Sequence, residues 1–342
     1  MGSYNQPRMG SGKIVKRSIV DDRLRAYGQT DQGCERTSNE DCFLIANSGS
    51  FAGYFVFDGM GGQPAGEAAA LISAETISKY LHETSLTEPL GVVVKAIEEA
   101  QRNLLSKTSD ASLSGMGTTA FGVLVSDTEV ALGAVGDSRA YHIKVGSITQ
   151  MTNDHTLVQQ LVDAGKLSPS DAMIHPQSHI LTRCLGSELG FEVDARKFKL
   201  RQRESELEPT EWILLCSDGL YGLVSEEEMA ALVTNFSAQD ATTKLIDIAR
   251  DRGGFDNITA LVIPLRGSLE PVSELDVRDK GPRWQGELNE DPLLGAITEG
   301  QQVHARYSSI TLKGHIWRVF LVAAISAICA VCSYIFFNMR WG

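Results

Sequence analysis

The stretch Phe55–Gly62, FVFDGMGG, decides the fold that we expect for this chain. Its first three residues are apolar and predict a short buried strand, which ends at Asp58. Glycines follow at once and free the backbone to adopt turn conformations. A carboxylate at a strand end, beside such a backbone, supplies the oxygen ligands that a hard divalent cation prefers. An ordinary Asp-Gly turn explains the same letters equally well, so this stretch alone does not separate the two interpretations.

Three other segments repeat the arrangement. Asp218 follows the apolar stretch WILLC, and Asp256 follows two glycines and precedes a further apolar stretch. Asp41 stands directly before the predicted strand Cys42–Ala46. Because each acid lies at the edge of an apolar strand, we expect them to converge with Asp58 at one edge of a β-sheet core. Several carboxylates in one place suit Mg²⁺ or Mn²⁺, which prefer oxygen ligands.

Composition indicates a globular protein with a substantial core. The chain has 342 residues, of which 43% are hydrophobic and 22% charged. The net charge is −12 and there is no Lys/Arg-rich run, which argues against nucleic acid as a partner. The six cysteines show no dense disulfide framework. We therefore expect reduced thiols in a cytosolic domain.

Changes in composition divide the chain into four parts. Residues 1–22 are polar, lack the apolar core of a signal peptide and are predicted to be a disordered leader. A folded domain over 23–265 precedes a flexible linker over 266–315. Residues 316–338 are predicted to be a transmembrane helix, because Val319–Phe337 carries no charge and would span about 28 Å. The Lys and Arg residues before this span favour a cytoplasmic location for the folded domain.

Hydrophobic periodicity predicts both helices and strands within the folded domain. The clearest helical patterns are Pro64–Leu81, Leu90–Leu105, Thr156–Ala164 and Ala238–Arg252. Asp154 and His155 are predicted to cap the third of these helices. Residues 120–148 alternate with period two and predict a meander, and residues 191–200 and 212–216 predict a strand pair.

Eight motifs follow one another between Arg25 and Pro264. They are RTSNED, FVFDGMGG, GMGTTAFG, GAVGDSRAY, TNDHTLVQQLVDAG, HILTRCLG, LLCSDGL and FDNITALVI. In type and order they resemble the metal-dependent protein phosphatase family (PPM, type 2C), and in particular its bacterial serine/threonine branch. The resemblance implies an α+β fold: a β-sandwich of two antiparallel sheets flanked by helices. It also implies two Mn²⁺ or Mg²⁺ ions at one sheet edge.

The resemblance assigns a metal-ligand role to five residues. Asp58 would bridge both metals, and Gly59 would offer its carbonyl oxygen. Asp218 and Asp256 would hold one of the metals. Asp41 belongs to an acidic pair that ligates a metal or orients its waters. Asp58 and Asp218 are also our candidate catalytic residues, together with Arg36.

The resemblance extends to residues around the metals. Arg36 matches the phosphate-binding arginine, and a surface ion pair with Glu40, worth almost nothing in stability, is the alternative for its spacing. Glu40 is the second member of the acidic pair. Asp137 matches a carboxylate near the metals, and a hydrogen-bonded turn with an Asp–Arg pair is the alternative. The segment Gly165–Gly190 matches the flap beside the active site, which influences substrate choice.

The chain departs from the family pattern at two places. Met60 stands where some relatives carry the histidine proposed as general acid, so that role is unfilled or falls to water. A third metal in the bacterial branch is held partly by an Asp just before the M-G-T-T segment. Gly115 occupies that position here, and Asp110 lies farther away, which puts a third metal in doubt.

These features predict a protein phosphatase that acts on phosphoserine and phosphothreonine through a water activated by two metals. A serine/threonine kinase and phosphothreonine-binding proteins are its expected signalling partners. We expect a single-pass protein of the bacterial cytoplasmic (inner) membrane with its catalytic domain in the cytoplasm. Two alternatives stay open, a scaffold of the same fold that binds phosphoproteins without turnover and a hydrolase of small phosphoesters.

Overall fold

The computed structural model describes the residues of the predicted folded domain and little else. The described residues are 13–15, 18–20, 24–48, 50–62, 64–107, 115–187, 191–202 and 209–272. Within them, no helix has the length and apolar character needed to cross a membrane. The predicted transmembrane helix, and all but the start of the predicted linker, lie outside the described residues.

Fifteen strands and seven helices are described. The strands are β1 Lys13–Val15, β2 Ser18–Val20, β3 Tyr27–Asp31, β4 Cys42–Asn47, β5 Ala52–Phe57, β6 Gly59–Met60, β7 Gly117–Thr118, β8 Ala120–Val125, β9 Glu129–Val135, β10 Arg139–Lys144, β11 Ser147–Gln150, β12 Asp194–Gln202, β13 Glu211–Cys216, β14 Ile258–Leu265 and β15 Gly267–Pro271. The helices are α1 Ala65–Glu83, α2 Pro89–Lys107, α3 Leu157–Asp163, α4 Pro169–Met173, α5 Asp218–Tyr221, α6 Glu226–Asn235 and α7 Ala238–Asp251.

The strands form two large antiparallel sheets. The first has the order β1-β4-β5-β8-β9-β12-β15 and the second the order β11-β10-β13-β14-β3-β2. One apolar cluster fills the space between the sheets, a second lies under α1 and α2, and a third lies under α6 and α7. All six residues of β5 are buried, as expected for a strand covered on both faces. The predicted α+β sandwich with flanking helices is therefore confirmed.

Two predictions of strand pairing are wrong. The predicted meander is divided, since β8 and β9 belong to the first sheet and β10 and β11 to the second. The predicted pair of β12 and β13 does not form, because β12 pairs with β9 and β15 while β13 pairs with β10 and β14. Period-two alternation marks a strand but does not say which sheet receives it.

The ends of the predicted domain also differ from expectation. β1 and β2, which lie in the predicted disordered leader, pair with β4 and β3 at the sheet edges. β15 lies in the predicted linker and pairs with β12, and Leu269 on it is buried between the sheets. These strands are short, so their sequences carry too little periodicity to be recognised. The four-part division of the chain otherwise stays a prediction.

Candidate active site

Five aspartates meet at one end of the sandwich. Asp41 precedes β4 and Asp58 follows β5, both in the first sheet. Asp218 follows β13 and Asp256 lies just before β14, both in the second sheet. Asp137 lies in the turn by which the chain passes from β9 to β10. Burial first, and then the negative charges of the other four, raise the pKa of Asp58 well above its ordinary value. The predicted convergence of carboxylates is thus present in the structure.

Asp41 is the most deeply buried member of the group, with 2% of its surface exposed. Its Oδ2 atom accepts hydrogen bonds from Ser217 Oγ at 2.8 Å and from Thr259 Oγ1 at 2.7 Å. Its Oδ1 atom is buried without a hydrogen-bond partner. Burial raises the pKa of Asp41 to about 7, against the lowering effect of the two hydroxyl donors. The carboxylate is therefore oriented by one oxygen, and the other is left for an additional ligand.

The backbone around Asp58 is fixed by two threonines. Asp58 N–H donates to Thr119 Oγ1 at 2.9 Å, while Asp58 O accepts from Thr119 N–H at 2.8 Å and from Thr118 Oγ1 at 2.9 Å. At Gly59 a Cβ atom would lie 2.6 Å from Glu40 O and closer still to Gly66 O. Only glycine fits there without a shift of the neighbouring backbone, which brings the start of α1 against the site.

Asp218 is the first residue of α5 and is separated from the end of β13 only by Ser217. Its Oδ1 atom is buried and has no hydrogen-bond partner. Burial, together with the charge of Asp256, raises the pKa of Asp218 to about 6. Asp41 and Asp218 thus each leave one buried carboxylate oxygen without a partner, and burying such an atom is unfavourable unless something binds it.

Arg36 pairs with Asp256 rather than with Glu40. Its Nη2 atom lies 2.7 Å from Asp256 Oδ2, and 53% of the arginine side chain is exposed. Glu40 is instead buried against Gly66, where a Cβ atom would clash with its carboxylate. Burial raises the pKa of Glu40. The surface ion pair considered from the spacing is therefore wrong, and Arg36 lies at the rim of the carboxylate group.

Asn257 holds the loop that carries Arg36, and sequence reasoning missed it. Its side chain accepts a hydrogen bond from Glu40 N–H at 2.8 Å. It donates to Gln32 O at 2.9 Å and to Ser38 O at 2.8 Å. The signal available in the sequence was its position directly after Asp256 in FDN, where an amide side chain often bonds to loop backbone. Ser217 and Thr259, which hold Asp41, were missed in the same way.

The turn that carries Asp137 is held by several bonds. Gly136 has φ +113°, and a Cβ atom there would lie 2.5 Å from the side chain of Thr119. Ser138 Oγ lies 2.9 Å from Thr119 Oγ1, and Tyr221 OH donates to Asp137 O at 3.1 Å. Burial and then the charge of Asp218 raise the pKa of Asp137 well above its ordinary value.

The Asp–Arg pair considered for this turn does not form. Arg139 pairs with Asp154, with Nη2 at 2.6 Å from Oδ2. The prediction that Asp154 and His155 cap α3 is also wrong, because Thr156 is the N-cap and its side chain accepts a hydrogen bond from Gln159 N–H.

The predicted flap, Gly165–Gly190, is described up to residue 187 and contains α4. Its return segment is joined to the site, because Leu185 N–H donates to Thr118 O at 2.9 Å and Leu185 O accepts from Thr118 N–H at 3.2 Å. Met173 and Ile174 at the far end of the flap are largely exposed.

Comparison with known proteins agrees with this geometry. A family model described as protein phosphatase 2C matches residues 34–247. The chain belongs to the protein phosphatase 2C family. The serine/threonine phosphatase stp of Listeria welshimeri is 34% identical over 252 residues, which cover 70% of this chain and 95% of that protein. The prediction of an enzyme of the protein serine/threonine phosphatase class is confirmed by this family and its relatives.

Solved structures of the 2C family share the fold. The crystal structure of the serine/threonine phosphatase PstP/Ppp of Mycobacterium tuberculosis superposes with a TM-score of 0.63 at 30% identity, covering 71% of this chain and 98% of that one. A structure of the PstP catalytic domain in complex with two manganese ions superposes with a TM-score of 0.60 at 27% identity, covering 74% of this chain and 99% of that one. A two-metal site for manganese or magnesium is therefore supported for this 2C member.

The residues present fit such ions. Among the described residues, no group of three or more His, Cys, Asp or Glu side chains is arranged to hold a metal ion by itself. Mg²⁺ in proteins commonly takes only one or two carboxylates and keeps several waters, so sparse protein ligation suits it. The unpartnered oxygens of Asp41 and Asp218 and the clustered negative charge both favour a bound cation. Residues 108–114, where a third-metal ligand was considered, lie outside the described residues.

Proposed function

We propose that this chain hydrolyses phosphoserine and phosphothreonine on proteins with the help of two divalent cations. The observation that carries the proposal is the group of aspartates around Asp58, in which two buried carboxylate oxygens have no partner. The serine/threonine phosphatases among the relatives, and the manganese in one solved relative, support the same function.

In this proposal, Asp58, Gly59, Asp218, Asp256 and Asp41 would hold the cations. Such ions lower the pKa of a coordinated water and offset the charge that builds up on phosphoryl oxygens. The chain's own contribution is to hold the carboxylates at fixed positions. The hydroxyls that bond Asp41 and the threonines that bond Asp58 do this, so the site needs little reorganisation during the reaction.

Arg36 would bind the phosphate group of the substrate. A guanidinium carries five N–H donors in a planar fork that matches two phosphate oxygens, which is more than the bond to Asp256 uses. Its exposure at the rim gives access from solvent, and Asn257 restrains the loop on which it lies. Arg36 would thereby orient the phosphate for in-line attack by water.

Replacement of the central carboxylates tests the proposal. Asp58→Asn and Asp218→Asn should each abolish hydrolysis of a phosphothreonine peptide in Mn²⁺ while the circular dichroism spectrum stays native. Asp247→Asn, on the exposed face of α7, is the matched control and should keep full activity. Near wild-type turnover by either site variant would overturn the assignment.

The two alternative functions give different outcomes. A phosphoprotein-binding scaffold would retain a phosphopeptide in Mn²⁺ without releasing phosphate. A hydrolase of small phosphoesters would show a higher kcat/KM for a small ester than for a phosphopeptide. We expect phosphate release, with the phosphopeptide preferred, because the exposed apolar side chains of the flap, Met173 and Ile174, would contact a peptide but not a small ester.

We also propose that residues 316–338 anchor the enzyme in the cytoplasmic membrane, where it would reverse a serine/threonine kinase or release phosphothreonine-binding proteins. An anchor raises the local concentration of enzyme around membrane-bound substrates. The uncharged stretch Val319–Phe337 supports this proposal. The full chain should sediment with membranes, and a chain that ends at Val272 should not. Sedimentation of both would refute the anchor.

A further inference from the structure

A buried ion pair lies next to the carboxylate group without belonging to it. Arg183 Nη1 is 2.7 Å from Asp194 Oδ1, and His155 Nε2 is 3.0 Å from Asp194 Oδ2. The three side chains are only 14%, 11% and 3% exposed, in the order Arg183, Asp194, His155. Burial raises the pKa of Asp194, but the hydrogen bond from His155 and the charge and hydrogen bond of Arg183 outweigh it, so the pKa lies below its ordinary value. Burying such a pair is seldom the best way to gain stability, so its position needs another explanation.

The histidine connects this ion pair to the turn that carries Asp137. The Nδ1 atom of His155 lies 3.1 Å from Gly136 N–H, which can only donate. Nδ1 therefore accepts, and the ring proton sits on Nε2, from which it is donated to Asp194. The carboxylate of Asp194 thus fixes both the tautomer and the orientation of the ring. The ring in turn holds the peptide group between Val135 and Gly136, one residue before Asp137.

The arginine connects the same ion pair to the flap. Arg183 lies on the return segment of the flap, which closes against the start of α3 through the bonds Leu157 N–H to Ile180 O at 2.9 Å and Thr182 N–H to His155 O at 2.8 Å. One carboxylate, that of Asp194, therefore receives a donor from the flap and a donor from the residue that holds the Asp137 turn.

We propose that Arg183, Asp194 and His155 form a positioning relay, through which the flap sets the position of Asp137 in the active site. His155 is a positioning residue, since it acts on Asp137 through Gly136 and touches no substrate. The proposal rests on the proposed function for its kinetic consequences. Its structural consequences, at the Gly136 amide, do not depend on any substrate.

Two substitutions at His155 separate the two halves of the relay. In His155→Asn the side-chain oxygen replaces Nδ1, which keeps the bond to Gly136 and loses the bond to Asp194. In His155→Gln the terminal amide reaches the place of Nε2, which keeps the bond to Asp194 and loses the acceptor at Gly136. We expect His155→Asn to lower the thermal midpoint more, because it removes a partner of a buried carboxylate.

The expected activities run in the opposite order. His155→Gln should lower kcat on a phosphothreonine peptide about five- to tenfold with KM within about twofold, as for the loss of one hydrogen bond. His155→Asn should stay within about twofold of wild-type kcat. If kcat instead follows the thermal midpoints of the two variants, His155 has a merely structural role and the relay is refuted.

A substrate-free measurement keeps this test apart from the proposed function. Amide hydrogen exchange at Gly136 in the metal-free full chain should accelerate about tenfold or more in His155→Gln and stay near wild type in His155→Asn. Arg183→Met, which removes only the residue that joins the flap to the relay, should also accelerate hydrogen exchange at Gly136. Unchanged exchange in both His155→Gln and Arg183→Met would overturn the relay, whereas absence of wild-type turnover would overturn only the proposed function.

Discussion

The loop that carries Arg36 is held by the side chain of Asn257, which lies more than 210 residues later in the sequence. Asn257→Ala would remove three hydrogen bonds at once, to Glu40 N–H, Gln32 O and Ser38 O, all between 2.8 and 2.9 Å. Asn257 is only 5% exposed, so water would not fully replace these bonds. Its neighbour Asp256 is the residue that pairs with Arg36.

The expected loss of stability follows from these bonds. Each intramolecular hydrogen bond contributes about 0.5–1.5 kcal/mol net, so three give about 1.5–4.5 kcal/mol. Two of the three involve loop carbonyls that are partly accessible, and we therefore expect about 3 kcal/mol. Release of the loop should also lower kcat/KM for a phosphothreonine peptide at least about tenfold, mainly through KM, because Arg36 would no longer be positioned to bind the phosphate.

Urea unfolding at fixed Mn²⁺, together with peptide kinetics, measures both effects. Asn103→Ala is the matched control, since its side-chain amide donates to Thr76 Oγ1 at 2.7 Å between α1 and α2, away from the site. It should lower stability by about 1 kcal/mol and leave KM unchanged. Our account of the loop would be refuted if Asn257→Ala changed neither the free energy of unfolding by more than about 0.5 kcal/mol nor KM by more than twofold.

Three further predictions follow from the fold and the site. The pKa of Asp41 is raised to about 7 in the folded chain, so the folded chain binds this proton more tightly than the unfolded chain and protonation stabilises the metal-free fold. The thermal midpoint in chelator should therefore fall as pH rises from about 5 to 8, and Asp41→Asn should weaken this dependence. A chain that ends at Val272 should unfold with near wild-type stability, whereas one that ends at Arg266 lacks β15 and its buried leucine and should lose at least about 2 kcal/mol in urea unfolding. Gly66→Ala places a Cβ atom against the Glu40 carboxylate and should raise the Mn²⁺ concentration needed for half-maximal activity. Gly146→Ala strains the turn between β10 and β11, where φ is +80°, but puts no Cβ atom within 4 Å of another group and should leave that concentration unchanged.

The central carboxylates could be predicted from the sequence because each carries a local signal. Asp58 and Asp218 end apolar strands and are followed by glycine, and Asp256 lies two residues after a glycine. Strands of a sandwich end at its edges, so acids at several strand ends have a good chance of meeting there. The helices α1, α2 and α7 were predictable for a similar reason, since an amphipathic pattern of 14 to 19 residues is hard to mistake.

The residues that support the site carry no comparable local signal. Ser217 and Thr259 bond Asp41 across 176 and 218 positions of the chain, and Asn257 bonds Glu40 across 217. A single serine or threonine is compatible with any strand end, so its neighbours in the sequence do not indicate a hydrogen bond to a distant residue. The division of the meander between two sheets could not be predicted either, because strands of both sheets bury apolar side chains with the same period of two.

The position of β14 beside β3 has a consequence for synthesis on the ribosome. Glu40 and Asp41 emerge early, whereas Asn257 and Thr259, which bond them, are translated more than 210 residues later. At about 5–20 residues per second, roughly 10–40 seconds pass between the synthesis of Glu40 and Asp41 and the synthesis of the residues that bond them. A nascent chain stalled before Ile258 therefore lacks Thr259 and has an incomplete active site. We expect activity only when translation of the domain is nearly finished.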